Sequence, residues 1–226
     1  MKTFFIHAKL EHDTRLTDEA MKKLPKQRYG IVTSIQHMHK IRDVQEQLEG
    51  SVFGGQVLGC RPDAGERVNE KVDAFLFVGT GVFHPIQLAL KTKKDVWLWD
   101  PVEKELTKLE KKQIDSYVKR KNASLSKFFA SDIVGIIITT KIGQNENKIM
   151  KFTKGIKLNY AKKIAKLYPD KKYYYFACDT LSNYDMENFP FIKCWVNTAC
   201  NRIADEKSNI VNMEDIIEFK KDEATN

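Results

Sequence analysis

The sequence predicts an α/β protein of two consecutive Rossmann-like domains, each on a parallel sheet, packed around a shared cleft. Short apolar runs rich in β-branched and aromatic residues recur at 29–35, 72–78, 133–139, 172–178 and 192–196. Such unbroken runs suit strands buried on both faces of a sheet. Polar stretches with helical spacing separate them, so strands alternate with helices as in right-handed βαβ units.

In chain order, residues 3–8 and 29–35 are the first expected strands, and Gln56-Val57-Leu58 is a short third run ahead of the strand at 72–78. Residues 103–129 are highly charged, with Leu106, Leu109, Ile114, Tyr117 and Val118 at roughly helical intervals. They are expected to form one long helix, or two, carrying the chain into the second domain. That places the domains at 1–129 and 130–226, packed firmly because no Gly/Ser linker separates them. The second domain is expected to hold strands at 133–139, 172–178 and 192–196, helices at 145–167 and 213–219, and a frayed polar tail from 220.

Composition narrows the class. With 226 residues, 42% hydrophobic and 30% charged, the chain can bury two cores, and disorder is excluded outside the termini. No apolar run approaches the roughly 18 residues of a membrane span, and the first residues do not resemble a signal peptide. A cytoplasmic location without membrane contact is expected. The net charge of +8 is spread over lysines without interleaved aromatics, which favours a solvated surface over a direct nucleic-acid interface. The four cysteines, Cys60, Cys178, Cys194 and Cys200, are expected to be reduced thiols. With no Cys-x-x-Cys and no close Cys/His pair, zinc motifs are excluded. The single-loop three-cysteine motif of most radical enzymes is absent as well.

Ligands of open α/β sheets bind beyond the strand carboxyl ends, and the informative residues fall there. The strand at 72–78 enters Gly79-Thr80-Gly81, where backbone N–H groups can approach an anion ahead of the next helix. The turn Thr140-Lys141-Ile142-Gly143-Gln144 follows the strand at 133–139 and adds a cation. Cys60 follows Gly59, and Cys200 closes the run that begins at Cys194, so both thiols are expected at strand carboxyl ends. Cys178 and Cys194, inside apolar strands, are expected to be small buried hydrophobes. His84 and His37 beside these turns are read as loop supports ahead of general bases, and His7, His12 and His39 as surface or packing residues.

Five ordered segments carry a resemblance: Gly55-Gln56-Val57-Leu58-Gly59-Cys60, Gly79-Thr80-Gly81-Val82-Phe83-His84-Pro85, Thr140-Lys141-Ile142-Gly143-Gln144 and Val196-Asn197-Thr198-Ala199-Cys200, with Arg202-Ile203-Ala204 after them. Together with Ile35-Gln36-His37, they resemble the archaeal diphthamide synthase, or 2-(3-amino-3-carboxypropyl)histidine synthase, family over nearly the whole chain. The resemblance implies three similar α/β domains that each give one cysteine to a 4Fe-4S cluster. Cys60 matches the middle domain's cysteine and Cys200 the last domain's. Soft thiolates suit such a cluster, and three of them leave one iron open. The implied reaction moves a 3-amino-3-carboxypropyl group, as a radical, from S-adenosylmethionine to C2 of a histidine imidazole of elongation factor 2. Gly79, Thr80, Gly81, His84, Lys141, Gln144 and Arg202 would line the S-adenosylmethionine site, with Lys141 or Arg202 on its carboxylate.

The family's first domain, with the third cysteine, has no counterpart in this sequence. A separate chain is expected to supply it, and a dimer is expected; the alternatives are a fragment, or a stand-alone paralogue in which Cys178, Cys194 or a non-cysteine ligand completes a cluster, or in which no cluster forms and the protein only binds a partner. Asn201 stands where the family usually has proline, and Asp205-Glu206 blurs an acidic pair, so the loop around Cys200 is expected to differ. Two other functions stay open: a non-catalytic or electron-relay partner subunit of a split synthase, and a nucleotide-binding α/β protein.

Overall fold

The structure, a computed structural model, describes residues 6, 8–59, 62–139, 154–179, 183–204 and 209–225. The chain forms two compact units, Met1–Asp115 and Ser116–Asn226. In the first, α1 (Asp18–Lys23), β1 (Tyr29–Thr33), α2 (Ile41–Gln47), β2 (Val52–Gln56), α3 (Asp63–Glu66), β3 (Ala74–Val78), α4 (Phe83–Thr92), β4 (Val96–Asp100) and β5 (Glu105–Lys108) follow one another. The sheet order is β2-β1-β3-β4-β5. The first four strands are parallel and β5 is antiparallel to β4.

Tyr29–Thr33 and Ala74–Val78 are buried at every position, as expected for central strands with both faces covered. β2 contains Gly54 and Gly55 for a local reason. Its register against β1 jumps from Ile31↔Phe53 to Val32↔Gly55, a bulge at which Gly55 takes φ +111° and a Cβ on Gly54 would lie 2.7 Å from Val32 Cγ1. Only glycine fits that geometry without displacing β1.

The second unit receives most of α5 (Lys111–Ala130), then β6 (Ile133–Thr139), α6 (Lys154–Leu167), β7 (Lys172–Cys178), α7 (Asn183–Glu187), β8 (Cys194–Asn197), β9 (Ile210–Asn212) and α8 (Met213–Thr225). Its strands are parallel in the order β7-β6-β8-β9. Alternate residues of β6 feed opposite faces. Val134, Ile136 and Ile138 join Leu125, Phe128, Ile164, Val211 and Ile216 on one, whereas Ile137 joins Met186, Ile192, Trp195 and Ile210 on the other. Because Leu125 and Phe128 belong to this core, the division between units falls at 115/116, earlier than the 129/130 read from the sequence.

Several elements depart from expectation. The charged segment 103–129 is not helical throughout. Asp100 Oδ1 accepts from the N–H groups of Val102 and Glu103 at 2.9 and 3.2 Å, Lys104 turns the chain at φ 54°, and β5 pairs back on β4 before α5 starts. β2 lies ahead of the run at 56–58, and the 220–226 tail is largely helical because α8 continues to Thr225. The strand expected at 3–8 falls largely outside the described residues; Ile6 and Ala8 belong to no strand. The helix expected at 145–167 is described only from Lys154.

Candidate functional site

In each sheet the second strand lies on one side of the first and the third on the other. The connections therefore part between β1 and β3, and again between β6 and β8, and such switch points open a crevice at the strand carboxyl ends. In the first unit Thr33 Oγ1 donates to the Val78 carbonyl at 2.7 Å, tying those two strand ends together. Val57 N donates to the Thr33 carbonyl at 2.9 Å, bringing the segment after β2 to the same place.

Gly79 and Gly81 take φ +149° and +77°. A Cβ on Gly79 would meet the Phe77 ring at 3.1 Å, whereas none would be met at Gly81, so Gly81 answers to backbone conformation alone. The loop exposes Thr80 and Gly81 and enters α4, whose N-cap Val82 makes no side-chain capping bond. Gly59 lies flat on that helix start: a Cβ there would sit 1.9 Å from Phe83 Cε1. The His84 ring packs 5.4 Å from Phe83 and 6.1 Å from Phe77, centroid to centroid. The fold thus gathers Gly59, Gly79, Thr80, Gly81 and His84 at one end of the first sheet. Cys60, Lys141 and Gln144 lie outside the described residues.

His37 follows β1 at the same end and is 1% exposed. Its Nδ1 is buried with no hydrogen-bond partner among the described residues. Burial holds its pKa below the usual imidazole range against the pull of Asp100, with His12 and His39 adding to the lowering. The neutral ring suits the supporting role read from the sequence.

In the second unit the loop after β8 carries Cys200, a free, half-buried thiol. Thr198 Oγ1 donates to the Ile137 carbonyl at 2.7 Å, tying this loop to β6. Asn197 Nδ2 donates to the Cys200 carbonyl at 2.9 Å and to Asn212 Oδ1 at 2.8 Å, while its Oδ1 accepts from Ala199 N at 2.9 Å. Asn201 is buried, and its Nδ2 donates to Glu214 Oε2 at 3.3 Å. The asparagine flagged in the sequence therefore attaches the loop to α8. Arg202 is exposed. The roles of Asn197 and Asn212 were not legible, because asparagines around a loop read as ordinary turn formers.

The other described thiols differ. Cys194 is fully buried, and burial pushes its thiol up to about 12. Cys178 closes β7, half-buried, and its thiol is raised by burial and then by the carboxylates of Asp185 and Asp179. Neither environment favours a thiolate. Cys200 is the described cysteine whose setting fits a soft ligand: a free, half-buried thiol on a pinned loop at a strand carboxyl end. Among the described residues no group of three or more His, Cys, Asp or Glu is placed to hold a metal ion, and no helix is long and apolar enough to cross a membrane.

Comparison with known proteins adds the context. The model of the family described as "Putative diphthamide synthesis protein" matches residues 1–209. The 2-(3-amino-3-carboxypropyl)histidine synthase of Methanocaldococcus jannaschii is 27% identical over 232 residues, covering 98% of this chain and 59% of that protein. The protein of the same name from Pyrococcus horikoshii is 27% identical over 188 residues, covering 76% of this chain and 50% of its own length. The chain thus spans between half and three-fifths of these relatives. Its fold matches the crystal structure of Dph2 from Pyrococcus horikoshii with 4Fe-4S cluster, at a TM-score of 0.70 and 24% identity over 88% of this chain and 58% of that one.

Proposed function

Given that this chain belongs to the diphthamide synthesis protein family, we propose that it is an iron–sulfur transferase subunit. It moves the 3-amino-3-carboxypropyl group of S-adenosylmethionine to a histidine of elongation factor 2, the first step of diphthamide biosynthesis. The observation that carries this reading is the setting of Cys200, a free thiol on a loop held by β6, β9 and α8. Cys60 follows a glycine that packs on the start of α4.

Cys60 and Cys200 would hold a 4Fe-4S cluster through their thiolates. When bound and reduced, the cluster supplies the electron that breaks a carbon–sulfur bond of the sulfonium. The chain's own residues bind and orient. The Gly79–Gly81 loop offers backbone N–H groups with little steric cover, His84 supports it from the first turn of α4, and Lys141, Gln144 and Arg202 supply polar groups. Lys141 or Arg202 takes the substrate carboxylate by a charge-assisted bond. Replacing the responsible cation with alanine is expected to weaken S-adenosylmethionine binding about ten-fold or more, measured by calorimetry; unchanged affinity in both Lys141→Ala and Arg202→Ala removes this assignment.

The cluster so proposed has a third thiolate besides Cys60 and Cys200. Cys194 is sealed in the core and Cys178 sits among carboxylates in a setting that holds its proton, so neither suits that role; we assign the third cysteine to a separate chain, within a dimer. The direct test is anaerobic reconstitution with iron and sulfide, alone and with a candidate partner, followed by iron counting and electron paramagnetic resonance. Wild type is expected to give a four-iron signal that Cys60→Ala and Cys200→Ala lose. Release of methylthioadenosine then separates the transferase from a non-catalytic or electron-relay partner, which would carry iron without cleaving S-adenosylmethionine. Nucleotide binding without iron would point to the phosphate-binding alternative.

A further inference from the structure

We infer that Asn197 is the positioning residue for the Cys200 thiol. The inference rests on the reading of Cys200 as a cluster ligand and concerns how this chain presents that sulfur. Asn197 is the last residue of β8 and is 1% exposed. Its carboxamide makes three bonds of 2.8–2.9 Å: two donated, to the Cys200 carbonyl and to Asn212 Oδ1 on β9, and one accepted, from Ala199 N. One buried side chain therefore fixes the backbone immediately before the cysteine and the cysteine's own carbonyl, and fastens both to the neighbouring strand.

The loop is held on either side of that point. Thr198 Oγ1 reaches the Ile137 carbonyl at 2.7 Å, and Asn201 Nδ2 reaches Glu214 Oε2 in the first turn of α8 at 3.3 Å. Ile203 N closes a turn on the Cys200 carbonyl at 3.0 Å, so that carbonyl accepts two bonds. With its backbone held from both sides, the cysteine has few directions in which to place its sulfur. Metal sites depend on such groups behind the ligand, because they fix its orientation. Removing Asn197 also leaves the Ala199 N–H without its buried partner, which is costly.

The test uses the full chain and a readout that needs no metal. In iron-free protein, Asn197→Leu and Asn197→Ser are expected to raise the rate of Cys200 alkylation by iodoacetamide at least about five-fold, the factor that about 1 kcal/mol from one of the three lost bonds gives. Peptide-resolved mass spectrometry reads each site, and the Cys178 rate should stay constant. Val196→Ala trims the neighbouring β8 side chain inside the core and leaves the carboxamide in place. It is expected to lower Tm without changing the Cys200 rate. The inference is overturned if Cys200 alkylation is unchanged or slower in the folded Asn197 variants, or if Val196→Ala accelerates it equally. After anaerobic reconstitution, a shifted reduction potential in Asn197→Ser at wild-type iron content adds support. Retention of iron by Cys200→Ala would instead sink the ligand reading, a result distinct from either alkylation outcome.

Discussion

At the scale of single residues, the first unit depends on a missing side chain. Gly59 lies against Phe83 so closely that a Cβ would sit 1.9 Å from the ring, and Phe83 begins the helix that follows the Gly79–Gly81 loop. Gly59→Ala must push the ring or the loop aside, an overpacking that costs about 1–3 kcal/mol. The expected outcome is a lower denaturant midpoint together with reduced iron loading, because Cys60 is the next residue. A variant that loses stability and keeps full iron content would separate the packing role of Gly59 from the presentation of Cys60. The cysteines illustrate how far single positions were legible. Cys194 was expected inside the core and lies there. Cys178, also expected within a strand, sits at its exposed end beside Asp179, which the apolar pattern of the preceding residues does not reveal.

At the scale of elements, the two sheets repeat one packing device. Gly30 on β1 is register partner to Phe75 on β3, and Gly135 on β6 is register partner to Trp195 on β8. A Cβ at Gly30 would lie 2.6 Å from the Phe75 ring, and one at Gly135 would lie 2.5 Å from Trp195. Each glycine makes room for an aromatic on the next strand. Gly30→Ala and Gly135→Ala are each expected to lose about 1–3 kcal/mol in urea unfolding, and the second should perturb the Trp195 fluorescence. A different interaction joins α5 to α8: Lys121 Nζ contacts Asp215 at 3.0 Å and Glu218 at 2.7 Å. Burial disfavours both the ammonium and the Asp215 carboxylate, yet the two carboxylates together outweigh it at Lys121 and raise its pKa. The contact distances support an ionised pair at neutral pH. Lys121→Met leaves Asp215 buried without its cation, and a loss of about 2 kcal/mol in denaturant unfolding is expected.

The elements legible in the sequence are those whose ends coincide with an apolar or aromatic run, even where, as in the half-exposed edge strand β7, the strand is not covered on both faces. β6 and β7 start and stop where their apolar runs do, and α8 begins at Met213 as expected. β5 escaped because an edge strand needs no apolar face: Glu105–Lys108 is largely exposed, and its charges mimic a helix surface. β2 escaped because the glycines its bulge requires weaken the strand signal. In the candidate site, the glycine turns and the Cys200 loop end were readable as motifs, whereas the asparagine bonds depend on β9 and α8, which no local pattern brings to Asn197.

At the scale of the whole molecule, pH should act at two ends. The His37 pKa is lowered by burial, so the unfolded chain takes up its proton first and this contribution to stability is lost as pH falls below about 6.5. At the other end, burial raises the Tyr173 phenol, and Tyr29, Tyr168 and Tyr175 shift the same way. Lys121 is raised as well. Groups whose folded pKa is raised stabilise below their unfolded values, and that stability is lost above about pH 8.5 for the thiols of Cys194 and Cys178 and above about pH 10 for the phenols and Lys121. The expected profile of Tm is a plateau between these limits with a decline on either side. Replacing His37 with a neutral residue that the fold accepts should flatten the acid limb alone, measured by differential scanning calorimetry.

Cys194 also gives the second unit a clock. With no exposed surface and a thiol pushed up to about 12, it is shielded from reagent and lacks the thiolate that would react. Each alkylation of Cys194 therefore requires an opening of the sheet around it, and the labelling rate equals the opening rate when alkylation outpaces reclosing. Its labelling rate with pH and denaturant would time the breathing of that core in the unmodified protein, without an added probe.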